Sequence, residues 1–246
     1  MSELQHPDAR PFEEVAEIYE RARPGYPPNA VAWLAERLGL HAGRTVLDLG
    51  AGTGKLTRAL VETGARVIAV EPGDAMRGVL ERELPNVEAH RGSAENIPLP
   101  DDTVDAITVG QAFHWFRHDD AVPEMHRVLR PGGGVGLIWN ARDDLPEEIV
   151  QLVERFVPPD RPGPEDWPHL LAENGLFGPL EERTFPFSQR LDADGLAERI
   201  CSISFVAAAP PEERSRVAGE LRAIVARLGG TVDFSYVTRA YVSFAA

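Results

Sequence analysis

The chain has 246 residues, 43% of them hydrophobic, which is enough for one large α/β domain with a sizeable core. Its formal net charge is −14, its pI is about 4.9 and it has no Lys/Arg run, a balance that argues against a nonspecific nucleic-acid binder. The single cysteine, Cys201, excludes an intrachain disulfide and fits a reducing compartment. The opening MSELQHPDAR has no signal-peptide core, and no apolar run approaches the about 18 residues of a membrane span, so a cytoplasmic protein is expected.

Taken in chain order, Phe12, Val15, Ala16 and Tyr19 recur at helical spacing and predict a helix over 11–22, which Pro24, Pro27 and Pro28 end. Asn29 is expected to cap a second helix running through Val31, Leu34 and Leu38 to Gly39. Strands are predicted at about 45–50, 66–71, 87–91, 104–110 and 134–139, with helices between them. That alternation implies right-handed crossovers and a parallel sheet. Residues 140–181 are mixed, with a Pro/Gly loop in RPGPEDWPHLL and a short helix from about 166. Two more strands are expected at 182–187 and 234–245, separated by helical stretches near 192–207 and 211–228. Cys201, in ERICSISFV, reads as a buried thiol on a core helix.

The most informative run is RTVLDLGAGTG, residues 44–54, followed by VIAVEP, residues 67–72. An apolar strand breaks into a loop containing Gly50, Gly52 and Gly54, and a second strand ends on Glu71. Glycines allow close backbone approach to a ligand, and an acid at the second strand's end can accept from a ribose diol. An adenosine-containing cofactor is therefore expected. A phosphate-binding P-loop is excluded twice: only three residues separate Gly50 from Gly54, and Leu56 follows Lys55. The dinucleotide fingerprint matches in part, with G-x-G-x-G in place of G-x-G-x-x-G. Asp48, beside the glycines, suits a cofactor with a cationic amino-acid moiety better than a pyrophosphate. S-adenosylmethionine is such a cofactor.

The run VLDLGAGTG, then VEP, GSAENIPLP (92–100), DAITVGQAFHWF (105–116) and RVLRPGGGVGLIWN (127–140), resembles a class I S-adenosylmethionine-dependent methyltransferase across about residues 44–140. Phe12, Ala16, Tyr19 and RPGYP (23–27) resemble the small-molecule subgroup that includes the trans-aconitate methyltransferases. The resemblance implies a Rossmann-like α/β three-layer sandwich: a seven-stranded, mostly parallel sheet with an antiparallel last strand and a helical cap. It implies a single domain over 1–246, with an N-terminal helical lid at 1–38 and a cofactor-binding core at 39–187. A helical cap insertion at 188–233 and the last strand at 234–246 complete it.

The site residues follow from the same resemblance. Gly50, Ala51, Gly52, Thr53 and Gly54 are expected along the methionine part of the cofactor, and Asp48 near its ammonium. Glu71 and Pro72 fall at the ribose, and Met76 at the adenine face or in the core. Ser93, Ala94 and Glu95 fall at the adenine edge, where the family often has Asp in place of Ser93. Gln111 and Ala112 should run beside the methionine portion. Tyr19 and Arg23 belong to the lid, with Arg23 near the cofactor carboxylate. His114, Trp115, Trp139 and Arg142 are expected to face the acceptor, and His114 is the candidate general base because an imidazole titrates near neutrality. The turn Arg130-Pro131-Gly132-Gly133 is structural, and His126 serves packing or helix-end contacts.

The histidines lack a paired spacing and there is no Cys pair, so no metal site is expected. The expected partner is a small-molecule methyl acceptor, with no nucleic acid and no membrane; the acceptor and the oligomeric state are not legible. Two other readings stay open: an NAD(P)-dependent oxidoreductase, and a non-catalytic S-adenosylmethionine-binding protein.

Overall fold

A computed structural model describes residues 10–158, 167–173 and 175–246, with side chains from residue 16 onward. The N-terminal helix α1 spans Arg10–Ala22; the side chains of Phe12 and Val15 lie outside the described residues. Helix α2, Pro28–Leu38, begins on a proline and has no side-chain cap. Asn29 therefore lies inside its first turn instead of capping it. Proline is at home in that position because the N–H it lacks has no intrahelical partner. Gly39 closes the helix at φ 63°.

The central alternation follows as β1 Thr45–Leu49, α3 Lys55–Val61, β2 Arg66–Val70, α4 Asp74–Glu83 and β3 Glu88–His90. Then come β4 Val104–Gly110, α5 His118–Val128 and β5 Leu129–Arg142. Strand β1 pairs in parallel with both β2 and β4, β2 pairs with β3, and β4 pairs with β5. Strands β1, β2 and β4 are near-continuous apolar runs, as parallel strands covered on both faces must be. The remaining elements are α6 Glu147–Glu154, β6 Glu181–Asp192, α7 Ala193–Cys201, α8 Ser204–Ala207, α9 Pro211–Arg227 and β7 Thr231–Phe244. The sheet order is β3-β2-β1-β4-β5-β7-β6, parallel except for the antiparallel last strands, as expected. The order reverses between β1 and β4, and ligands of open α/β sheets sit beyond the carboxyl ends of strands at such a switch.

Four elements differ from expectation. Helix α6 was not foreseen in 140–181; its period is carried by only three buried residues, Ile149, Leu152 and Val153. The Arg130–Gly133 turn lies within β5, not before it: Val104 pairs with Leu129 and Ala106 with Gly134, so the glycine-rich segment loops out. Gly132 takes φ 77° there, and Arg130 pins the excursion by an ion pair to Asp105 at 2.9 Å. The stretch 192–207 breaks at Ser202-Ile203 into α7 and α8. The helix expected from about 166 is a short 3₁₀ turn, Pro168–Leu171.

The chain forms two compact units. One comprises, among the described residues, 25–141, 167–173, 175–185 and 238–246. Its strands alternate between two apolar clusters: Leu47, Ile68, Ile107 and Leu137 face one, and Val46, Val67, Ala106 and Ile138 face the other. The other unit comprises, among the described residues, 10–24, 142–158 and 186–237. Helix α7 packs chiefly on α9, and Leu196, Ile200, Leu221, Val225, Phe234 and Tyr236 fill its core. Cys201 ends α7 half-buried, and burial raises its thiol pKa. Among the described residues no helix is long and apolar enough to cross a membrane.

Candidate functional site

The loop after β1 folds back on β2 through hydrogen bonds from the Gly50 and Ala51 amides to the Val70 carbonyl, at 2.8 and 3.1 Å. Gly50, Gly52 and Gly54 all take positive φ, at 69°, 57° and 88°. L-residues are strained there, so all three positions call for glycine. What surrounds them separates their roles. A Cβ on Gly50 would lie 2.7 Å from that of Ala112, so this position brings the loop against the segment after β4. A Cβ on Gly54 would lie 3.0–3.1 Å from Leu84 and Leu80, which is core packing under α4. A Cβ on Gly52 would meet nothing within 4 Å. Thr53 beside it is buried, and its hydroxyl has no hydrogen-bond partner among the described residues.

Glu71 directly follows β2, with 9% of its surface exposed. One carboxylate oxygen accepts from the Gly52 amide and the other from the Gly73 amide, each at 2.8 Å. The carboxylate thus braces the glycine loop and holds its own orientation. Each carboxylate oxygen offers two acceptor sites, so a carboxylate can serve several donors at once. Asp48 is fully buried and accepts from Thr57 Oγ1 at 2.6 Å and Thr108 Oγ1 at 3.5 Å. Burial raises its carboxyl to about 7, the hydroxyl hydrogen bonds opposing the shift. Pro72 is half-buried, and Met76, on α4, is buried.

Ser93 forms an isolated bridge with Asn96, and Ala94 is buried in the larger apolar cluster. The Glu95 carboxylate accepts from the Arg117 amide at 2.9 Å, just ahead of α5, so it has a capping task there. After β4, Gln111 takes φ 58°, which is rare outside glycine. Its amide donates to the Ile138 carbonyl, and its side chain to the Asn140 carbonyl at 3.2 Å. A left-handed non-glycine residue held from both ends is the kind of strain that functional loops retain. The turn Phe113–Trp115 follows. His114 stacks on Trp167 at 4.5 Å and tilts against Trp115 at 4.7 Å. Phe113 is buried, between the rings of Phe116 and Trp139. Trp139 is itself 5% exposed and packs on Tyr241 within the apolar cluster, so its ring offers little surface to a ligand. His126 packs its ring on Phe177.

Four residues were not singled out from the sequence. The Tyr26 hydroxyl would lie 2.5 Å from a Cβ on Gly110, at the carboxyl end of β4. Its place in RPGYP and the glycine ending β4 were the available signals. Asn140 donates to the Gly25 carbonyl at 3.0 Å, accepts from Thr238 Oγ1 at 2.7 Å and supplies the carbonyl that holds Gln111. Thr57 and Thr108, the partners of Asp48, lie on separate elements, and no local pattern announces them.

The other unit holds the remaining expected residues. Arg23 donates to Ser202 Oγ and to the Ser202 carbonyl, both at 2.9 Å, and lies 5.1 Å over the Tyr19 ring. Desolvation and then the charge of Arg199 lower its guanidinium to about 10, with Arg142 adding to the effect. Arg142 itself is exposed.

A family model described as "Methyltransferase domain" matches residues 47–136, which hold the glycine loop, Glu71 and the post-β4 segment. An uncharacterized methyltransferase of Mycobacterium tuberculosis is 39% identical over 218 residues, covering 87% of this chain and 85% of its own. A methyltransferase-like protein of Schizosaccharomyces pombe is 36% identical over 247 residues, covering 96% of each chain. This chain belongs to the S-adenosylmethionine-dependent methyltransferases. Among solved structures, a chain of Anaeromyxobacter dehalogenans proposed to be a type II methyltransferase aligns with TM-score 0.68 and 27% identity, over 89% of this chain and 97% of that one. A phosphoethanolamine N-methyltransferase of Haemonchus contortus shares the fold with TM-score 0.56 at 17% identity, over 98% of this chain and 58% of that one. The cofactor of this methyltransferase is S-adenosylmethionine. Membership replaces the dinucleotide alternative and makes the protein an enzyme. The loop geometry fits the cofactor on its own terms: open space at Gly52, a Thr53 hydroxyl without a hydrogen-bond partner among the described residues, and a buried Glu71 carboxylate oriented by backbone amides.

Proposed function

We propose that this methyltransferase modifies a small-molecule acceptor in the cytoplasm, by in-line displacement and without a metal ion. When bound, S-adenosylmethionine supplies an electrophilic methyl group on a sulfonium sulfur. Glu71 accepts from the ribose diol, and the loop Gly50–Gly54 lies along the methionine portion. Ala94 and Ser93 serve the adenine edge, the serine hydroxyl without the charge assistance an aspartate would bring. Gln111 and Ala112 flank the reacting end, and His114 and Trp115 meet the acceptor. Positioning alone supplies about 7–11 kcal/mol of such a barrier, so no triad is needed. His114 takes a proton where the acceptor is a neutral hydroxyl or amine; a carboxylate acceptor needs no base. The resemblance to the trans-aconitate methyltransferase subgroup supports a small-molecule acceptor.

The observation that carries this reading is the contact of Gly50 with Ala112 and Phe116, which sets the His114 segment beside the glycine loop. The test is incubation with isotopically labelled S-adenosylmethionine and a cell extract. Label should appear in low-molecular-weight products. Label confined to protein or nucleic acid overturns the small-molecule acceptor.

A further inference from the structure

Arg199, on α7, is 3% exposed, yet no carboxylate is bound to its guanidinium among the described residues. Its Nε donates to the Tyr236 hydroxyl at 2.7 Å, and its guanidinium lies 5.1 Å over the Phe234 ring and 5.5 Å over the Tyr236 ring. Its Nη1 is buried with no hydrogen-bond partner among the described residues. A second guanidinium, that of Arg23, is bound to Ser202, whose hydroxyl donates in turn to the Arg199 carbonyl at 2.8 Å. The charges that weigh most on Arg23 are Arg199, Tyr19, Tyr236 and Arg142, two further arginines and two tyrosines, with no acid among them. In a chain of net charge −14, Arg199 is thus a buried cation beside a second, partly buried guanidinium, with no carboxylate bound to it among the described residues. Burying a charge without a partner is costly, and rings under a guanidinium offset only part of that cost.

We propose that Arg199 is the anchor of an anion site in the helical unit, and that its ligand is a monocarboxylate on an apolar or aromatic body. The open donor at Nη1 matches a carboxylate oxygen, and a charge-assisted hydrogen bond there satisfies it. Arg23 spends two of its five N–H donors on holding Ser202, so it adds its field beside Arg199, the anchor. The walls are aromatic: Phe187 stacks on Tyr236 at 4.7 Å, and Phe234 lies 4.8 Å from Tyr236. Such walls suit a ligand with one charge. A phosphate or a polycarboxylate would leave further charges unpaired against the rings.

The test is calorimetric titration of the full chain, first saturated with S-adenosylhomocysteine so that the cofactor's own carboxylate cannot answer for the site. Benzoate and phenylacetate are titrated against benzamide, citrate and inorganic phosphate. The two monocarboxylates should bind, and Arg199→Met should weaken them about tenfold or more while the affinity for S-adenosylhomocysteine is kept. Arg199→Lys, which keeps the charge without the fork, should fall between and covers the case in which the methionine variant does not fold. Removing an unpaired buried charge should also raise the thermal midpoint of Arg199→Met when no carboxylate is present. Binding by citrate or phosphate as tight as by benzoate overturns the ligand class. Absence of carboxylate binding to the loaded wild type, or equal binding by the lysine variant, overturns the site.

Discussion

The Glu71 carboxylate braces two loop amides, and its proposed role is to accept from a ribose diol. Glu71→Ala is expected to weaken S-adenosylmethionine binding by about 1.5–3 kcal/mol, the range for a hydrogen bond to a charged group. Calorimetric titration checks this, and unchanged affinity in a folded variant removes the ribose assignment. Asp48 gives a pH signature instead. Its folded pKa, about 7, lies above its unfolded value, so folding favours the protonated acid. That contribution is fully present below about pH 4 and is lost as pH rises through about 7, a change of about 4 kcal/mol at most. Denaturant unfolding of the cofactor-free protein should therefore show stability declining over that window, with a flatter profile for Asp48→Asn. An equal slope in the variant would locate the titrating group elsewhere. His114, held between Trp115 and Trp167, is proposed to act in turnover more than in cofactor binding. If it removes a proton, His114→Ala lowers the rate by roughly 10²–10⁴ and abolishes the acid limb of the pH–rate profile. If it only shapes the pocket, the loss falls on the acceptor's KM. A variant indistinguishable from wild type in rate, KM and pH profile takes His114 out of the site.

The loop between β1 and α3 separates binding from stability, because its glycines face different neighbours. Gly52 and Gly54 both take left-handed φ, so alanine at either is strained by about 1–2 kcal/mol. Only at Gly54 does the new methyl also press on Leu80 and Leu84. Gly54→Ala should therefore lose more stability in denaturant melts, by about a further 1–3 kcal/mol for overpacking. Gly52→Ala, whose methyl points into open space, should lose more cofactor affinity. The reverse ordering would show that the cofactor does not approach the Gly52 side. The strands around this loop were legible because buried parallel strands need unbroken apolar runs such as Val46, Leu47 and Leu49. The end of α2 was legible in Gly39, but its start was not. Proline at the first helical position and asparagine at a cap are both helix-start signals, and here the proline took precedence.

At the scale of the molecule, the cofactor should stabilise the folded chain by about 2.7 kcal/mol at a hundredfold excess over Kd. Hydrogen exchange should then show added protection at 49–54, 71–73 and 111–116. No change at 111–116 would remove the post-β4 segment from the site. The sequence by itself determined the α/β class, the order of the elements in the cofactor core, the glycine loop, Glu71 and the family, because each rests on residues adjacent in the chain or on a fixed period. Only the tertiary structure decided what meets across long separations. Examples are Thr57 and Thr108 on Asp48, Ala112 against Gly50, and Trp167 on His114. The Arg23–Ser202–Arg199 linkage belongs with them, joined across about 180 residues of chain. Local pattern reports which face of an element is buried. The partner it is buried against is set by how the elements pack, and that decides whether a polar side chain is satisfied, strained or left for a ligand.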